Sequence, residues 1–203
     1  MNTGLARLAV VVTVLSTAAC TVLPRPEPPR VMSLASAPSQ ATFDQVLPVN
    51  IRVVTPLASD PVDSSNILLK PTPYEFLVYK KARWRDSSPV VIRDHLAQHL
   101  RNSHGFRNIV VDTSTATTGL TLLTELSAFH VDQRSNEYKV TLQLHAELTG
   151  NRSNESMCIN NWAIEEPSAG ADLDSSVEAF SRAGNLLAHE LTEWVWNCVQ
   201  RAR

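Results

Sequence analysis

A chain of 203 residues with 18 basic and 20 acidic side chains, a formal net charge of -2 and 43% hydrophobic residues has the make-up of one ordinary domain plus an extension. That balance excludes a nucleic-acid surface, because nothing in the chain resembles the basic patch that neutralises phosphates. Six glycines leave little for a phosphate-cradling loop, and there is no nucleophile elbow, so enzyme activity is not expected.

The chain opens on a signal-like stretch. Arg7 precedes an apolar run from Leu8 to Leu15, and Leu15-Ser16-Thr17-Ala18-Ala19-Cys20 then narrows to small residues before a cysteine. Small side chains at Ala18 and Ala19 let a peptidase approach the backbone, and the thiol of Cys20 is a nucleophile that accepts a lipid. The layout resembles a bacterial lipobox, with Thr17 where Leu is usual. A secretory signal cut elsewhere and an uncleaved anchor are the alternatives, the second being short against the ~20 apolar residues of a spanning helix. Removal of residues 1–19 as a signal peptide leaves 184 residues with a net charge of -3. Lipidated Cys20 and the proline-rich segment to residue 46 are then a tether, and residues 47–203 a single domain.

Thr21 to Ala41 contains five prolines and reads as stiff and extended. Within it, Val31-Met32-Ser33-Leu34 is either an edge strand added to the body or plain linker. Val49, Ile51 and Val53 alternate with polar partners in a first body strand. Ile67-Leu68-Leu69 and Tyr74 to Tyr79 suggest two more. Ser88 and Pro89 are placed to open a helix as N-cap and first residue, Ile92, Leu96 and Leu100 form its stripe, and Gly105 is placed to end it in a left-handed cap.

Asn108 to Val111 reads as a short strand. Leu120, Leu122 and Leu126 share one parity while Phe129 and Val131 take the other, which predicts a bulge near Ala128. Tyr138 to Leu148 alternates cleanly, one face apolar and one polar, and Met157 to Ile164 completes a meander. Val177, Phe180, Gly184, Leu187, Leu191, Trp194 and Cys198 recur at threes and fours in a long closing helix with Ser175 or Ser176 as cap. The expected fold is α+β, a largely antiparallel sheet with two helices packed on one face.

Cys158 and Cys198 are the pair left over if Cys20 carries a lipid. In an oxidising compartment they are a candidate disulfide, with two buried thiols as the other reading. His95 and His99 stand four apart on the first helix with His104 beyond, yet Leu96 replaces the Glu of a zinc-protease motif and no third ligand is evident, so no metal is assigned and the pair reads as a solvated polar face. His189 begins a similar echo that ends in Glu193 and reads as a helix face. Asp60 and Asp63 flank a proline loop, where such acids usually serve the backbone. Trp162 and Trp194 are set apart from Trp196, which points away from the helix stripe. Trp196 is therefore either an exposed contact for a partner or lipid, or part of a second buried face.

Tyr74 to Leu100, YEFLVYKKARWRDSSPVVIRDHLAQHL, resembles the ABC-type transport auxiliary lipoproteins, the PqiC-like or paraquat-inducible lipoprotein group. The likeness rests on a tyrosine-bearing strand, Arg83-Trp84 and a helix with spaced leucines. It extends to the order of lipobox, proline tether, meander and closing helix, with Arg85 standing where a small residue is more typical. The resemblance implies a non-catalytic, cofactor-free lipoprotein that works with an ABC transporter and an MCE-type substrate-binding protein in lipid transport between two membranes, and it leaves room for a homo-oligomer. Thr21, rather than Asp, after the cysteine points by the same analogy to the outer membrane, periplasmic face. An envelope structural or lipopolysaccharide-assembly lipoprotein is the alternative.

Overall fold

The computed structural model describes residues 27–37, 43–134 and 137–202. Cys20, its lipobox and the tip of the hairpin expected at Gln133 to Asn136 lie outside the described residues. The centre of the fold is a meander of three long strands, β7 (Leu120–Arg134), β8 (Glu137–Gly150) and β9 (Glu155–Pro167), paired antiparallel. Alternation sets its faces. Val140, Leu142, Leu144, Ala146 and Leu148 are buried, while Gln143, His145 and Glu147 between them reach water to differing degrees. The predicted bulge is present, since the β7–β8 register passes from Leu126 opposite Leu144 to Ala128 opposite Gln143. The extra residue, Ser127, returns Phe129 and Val131 to the core side.

The far side of β7 is shared. Its first residues pair in parallel with β2 (Leu47–Val53), Ile51 beside Leu120, and its last residues pair in parallel with β3 (Leu68–Thr72), Leu68 beside His130. Leu57 closes the gap between them, donating to Thr124 and accepting from Leu126. Outside these lie β6 (Phe106–Val111), parallel to β2, and β4 (Glu75–Val78), antiparallel to β3. The α+β class is as expected, and the sheet is mixed. Alternation reports which face is buried but carries no strand direction, and the parallel pairs follow from the long connections that return β3, β6 and β7 to the same end.

Two helices cover one face. The first, α1 (Ser88–Asn102), packs on β6 and β2; the second, α2 (Leu173–Arg201), packs on β8, β9 and α1. Their ends differ from the sequence reading. Ser87 is the N-cap of α1, because Ser88 already lies inside the helix with its hydroxyl donated to the Ser64 carbonyl. Asp172 rather than a serine caps α2, accepting from the Ser175 amide at 2.9 Å. After α1 the left-handed residue is His104, with φ 54°, and not Gly105. Gly105 is needed for space: a Cβ there would overlap the Phe43 ring and stand 3.1 Å from Trp196.

The body also begins earlier than residue 47. β1 (Arg30–Met32) pairs in parallel with β5 (Ala82–Trp84), so part of the expected tether is built into the domain. Trp84 is fully buried between Phe129 and Phe180, with ring centroids 5.4 and 5.2 Å away. Arg85 secures the same join twice, donating its amide to the Met32 carbonyl and its guanidinium to Asp94 at 2.6 Å. Arg93 bridges Asp94 and Asp112, fixing α1 to the loop after β6.

Candidate anchoring and docking site

The segment that leads in from the N-terminus lies along α2. Arg30 pairs with Asp174 in the first turn at 2.6 Å, the Ala35 amide donates to Ser181 Oγ, and the Ala37 amide donates to Asn185 Oδ1 at 3.1 Å. Asn185 Nδ2 returns a bond to the Ala35 carbonyl, so one side-chain amide grips two alternate backbone positions as a neighbouring strand would. Phe43 stacks on Trp196 with centroids 4.7 Å apart and planes 4° from parallel. Contacts thus climb the helix from Asp174 to Trp196 as the chain runs from Arg30 to Phe43. Helix propensity gives the clue that composition hid: Gly184-Asn185 is the poorest helix-forming pair on an otherwise favourable helix, and both residues are there to receive this strap.

Beneath the strap sit the paired histidines. Both are buried, with ring centroids 4.7 Å apart. His99 Nε2 meets Asn185 Oδ1 at 3.2 Å, the same oxygen that holds Ala37. His95 Nε2 lies against Gly184, which Leu34 also approaches, and has no partner within hydrogen-bond geometry. Burial pushes the His95 pKa down to about 4, and the charge that His99 would carry adds to this, outweighing the Gly184 backbone and the Asn185 side chain. Burial likewise lowers His99, against the help of Asn185 and with His189 adding to the depression. These imidazoles are therefore packing and hydrogen-bonding groups of the helix interface, not the solvated face expected. Among the described residues no three His, Cys, Asp or Glu side chains gather to hold a metal. His104 is apart from the pair, after the helix end, and His189 faces Glu193 at 3.6 Å one turn on. Asp60 and Asp63 are exposed in the turn around Pro61.

Cys158 of β9 and Cys198 of α2 form a disulfide across 40 residues. Trp162 and Trp194 meet edge to face beside it, 5.5 Å apart, and the disulfide and both rings line a groove of about 320 Å³ with Glu190, Glu193 and Arg201. Of the two readings of Trp196, the structure favours the covered one. Phe43 covers one ring face and Nε1 is buried, so the second-face reading is the better description.

A different apolar surface is open. β4 has β3 as its one partner in the sheet, and all four of its residues are exposed. Leu77 and Val78 are about half exposed, Phe76 is 37% exposed beneath Lys70, and the adjoining Tyr74 is 96% exposed. An edge strand of this composition, with one row of backbone groups unpaired within the sheet, suits addition of another strand or an apolar partner. The reading of Tyr74 to Tyr79 as a strand located this element, but period-two alternation does not distinguish an edge from the interior.

The chain is matched over residues 32–192 by the family described as ABC-type transport auxiliary lipoprotein component. The chain belongs to this family. Protein XCC0632 from Xanthomonas campestris, a DUF330 protein, is similar in fold, with TM-score 0.77 and 20% identity over 87% of this chain and 98% of that one. An uncharacterized protein gives TM-score 0.63 at 11% identity over 83% and 99%. Hypothetical protein CT253 from Chlamydia trachomatis gives 0.52 at 7% identity over 75% and 98%. No curated protein sequence matches the chain. Like the auxiliary lipoproteins as a class, the chain is an envelope component, and among its described residues no helix is long and apolar enough to cross a membrane.

Proposed function

We propose that this auxiliary lipoprotein is a non-catalytic part of an ABC/MCE-type intermembrane lipid transport system, lipidated at Cys20 and held at the periplasmic face of the outer membrane. Its work is to dock the MCE-type substrate-binding protein there. The observation that carries the reading is the division of the body between two tasks. The strap binds the lipid-bearing end of the chain to α2, and the apolar edge at β4 remains for a partner. The family match supplies the link to an ABC transporter.

Envelope fractionation with a radiolabelled lipid precursor tests the anchor, and Cys20→Ala is expected to abolish both labelling and outer-membrane recovery. Cross-linked co-purification tests the partner. Recovery of an MCE-domain protein with its permease and ATPase is the expected result; recovery of lipopolysaccharide-assembly components alone would replace this reading with the envelope-structural one.

A further inference from the structure

The strap covers a histidine pair that nothing in the docking function requires to be titratable. A groove of about 270 Å³ is lined jointly by Ser33, Leu34 and Ser36 of the strap and by Asp94, His95 and Gln98 of α1. Over Gly184 the two sides converge: a Cβ at that position would stand 3.2 Å from Leu34 Cδ1 and 3.4 Å from His95 Nε2. His99 and Ala37 share a single acceptor, Asn185 Oδ1. A proton on His95 would therefore place a charge in the groove that Leu34 helps to close, and a proton on both rings would place two charges within a 4.7 Å ring separation.

We propose that residues Ser33–Ala37 are a latch, closed over neutral His95 and His99 and released from α2 when these imidazoles take up protons, while β1 stays paired with β5. Release lets water reach the rings and separates the strap from the charge. The other charged groups facing the pair are few among the described residues. Asp94 on α1 is occupied by Arg93 and Arg85, and His189 on α2 faces Glu193. The strap residues Val31 to Ala37 bear no charge, and Arg30 at the outer end is paired with Asp174. The described carboxylates named here, Asp94, Asp174 and Glu193, each already face another basic side chain.

Hydrogen exchange of the full chain between pH 7.5 and 4, corrected for intrinsic exchange, tests the latch through the Ala35 and Ala37 amides. Opening is expected to rise by roughly 150-fold between pH 7.5 and 4, half the ratio set by moving His95 from its buried value to an ordinary one, while β8 amides stay protected. The paired change His95→Gln and His99→Gln is expected to flatten this response, and Asp174→Asn to leave its midpoint in place. Asn185→Ala, which keeps both histidines, is expected to open the strap already at pH 7.5. Loss of strap and β8 protection together, an unchanged midpoint in the double variant, or a protected strap in Asn185→Ala would each overturn the proposal.

Discussion

Trp84 meets Phe180 edge to face with centroids 5.2 Å apart, and through this contact the short strand β5 is fixed to α2. Phe129 of β7 completes the cluster, 4.6 Å from Phe180 and 5.4 Å from Trp84. Three elements far apart in sequence meet in one buried aromatic group, and β1 depends on it because its partner strand ends at Trp84. Trp84→Ala is expected to destabilise the domain by about 3–5 kcal/mol, as removal of a fully buried large aromatic does. Urea unfolding followed by far-UV circular dichroism checks this. Trp84→Phe should recover much of the loss.

Stability should fall as the solution is acidified from neutrality. The folded state holds the His95 pKa at about 4 against an ordinary 6.5, so the unfolded chain binds the proton first. The stabilisation is complete above about pH 6.5, declines as pH falls, and is exhausted by about pH 4, with a total of at most roughly 3 kcal/mol. Below that range Asp94 and Asp112 add a further decline. Burial raises each, but Arg93 with Arg85 at the first and Thr55 with Arg93 at the second outweigh it, so both carboxyls sit below the usual range. Urea midpoints measured across pH 4–8 should show the first decline in the parent protein and little of it in His95→Gln.

Reduction, or Cys198→Ser, should destabilise the fold without dissolving it. In the chain-entropy description, closing a loop of 40 residues stabilises by about 4 kcal/mol. The helix end should loosen first, because Cys198 is in the last turns of α2. Thermal melts with and without reductant measure the total, and exchange of the Val195 to Val199 amides locates it.

The edge of β4 should matter to association and little to folding. Phe76→Lys and Tyr74→Asp alter exposed side chains, so each is expected to shift stability by less than about 1 kcal/mol. Recovery of the MCE-type partner in cross-linked pull-downs should drop at least several-fold. A wild-type yield from the double variant would move the docking surface elsewhere.

Much of the meander was legible because the residues of β7 and β8 alternate without interruption apart from Ser127, and a parity change is visible in a sequence. Strand direction was not. Parallel pairing of β2 with β6 and β7 depends on where connections return, which no local period records. Helix ends were misplaced by one to four residues for a related reason. Ser88 and Ser175 are good cap residues, but Ser88 already bonds Ser64, and Asp172 reaches the Ser175 amide first. The strap was concealed by composition. Prolines around Arg30 announce a linker, whereas its attachment comes from Ser181, Gly184 and Asn185, more than 140 residues away in sequence. Trp196 stayed open between two readings because its cover, Phe43, sits in a stretch with no periodicity.

The parallel run of strap and helix gives the domain a fixed polarity. Successive contacts at Asp174, Ser181 and Asn185 mean that the strap enters at the first turn of α2 and runs toward its C-terminal end. At 1.5 Å per residue the disulfide at Cys198 stands about 36 Å further along that axis. Under the proposed lipidation of Cys20, the first turn of α2 is the end nearer the anchor along the chain and the disulfide end is the farther one.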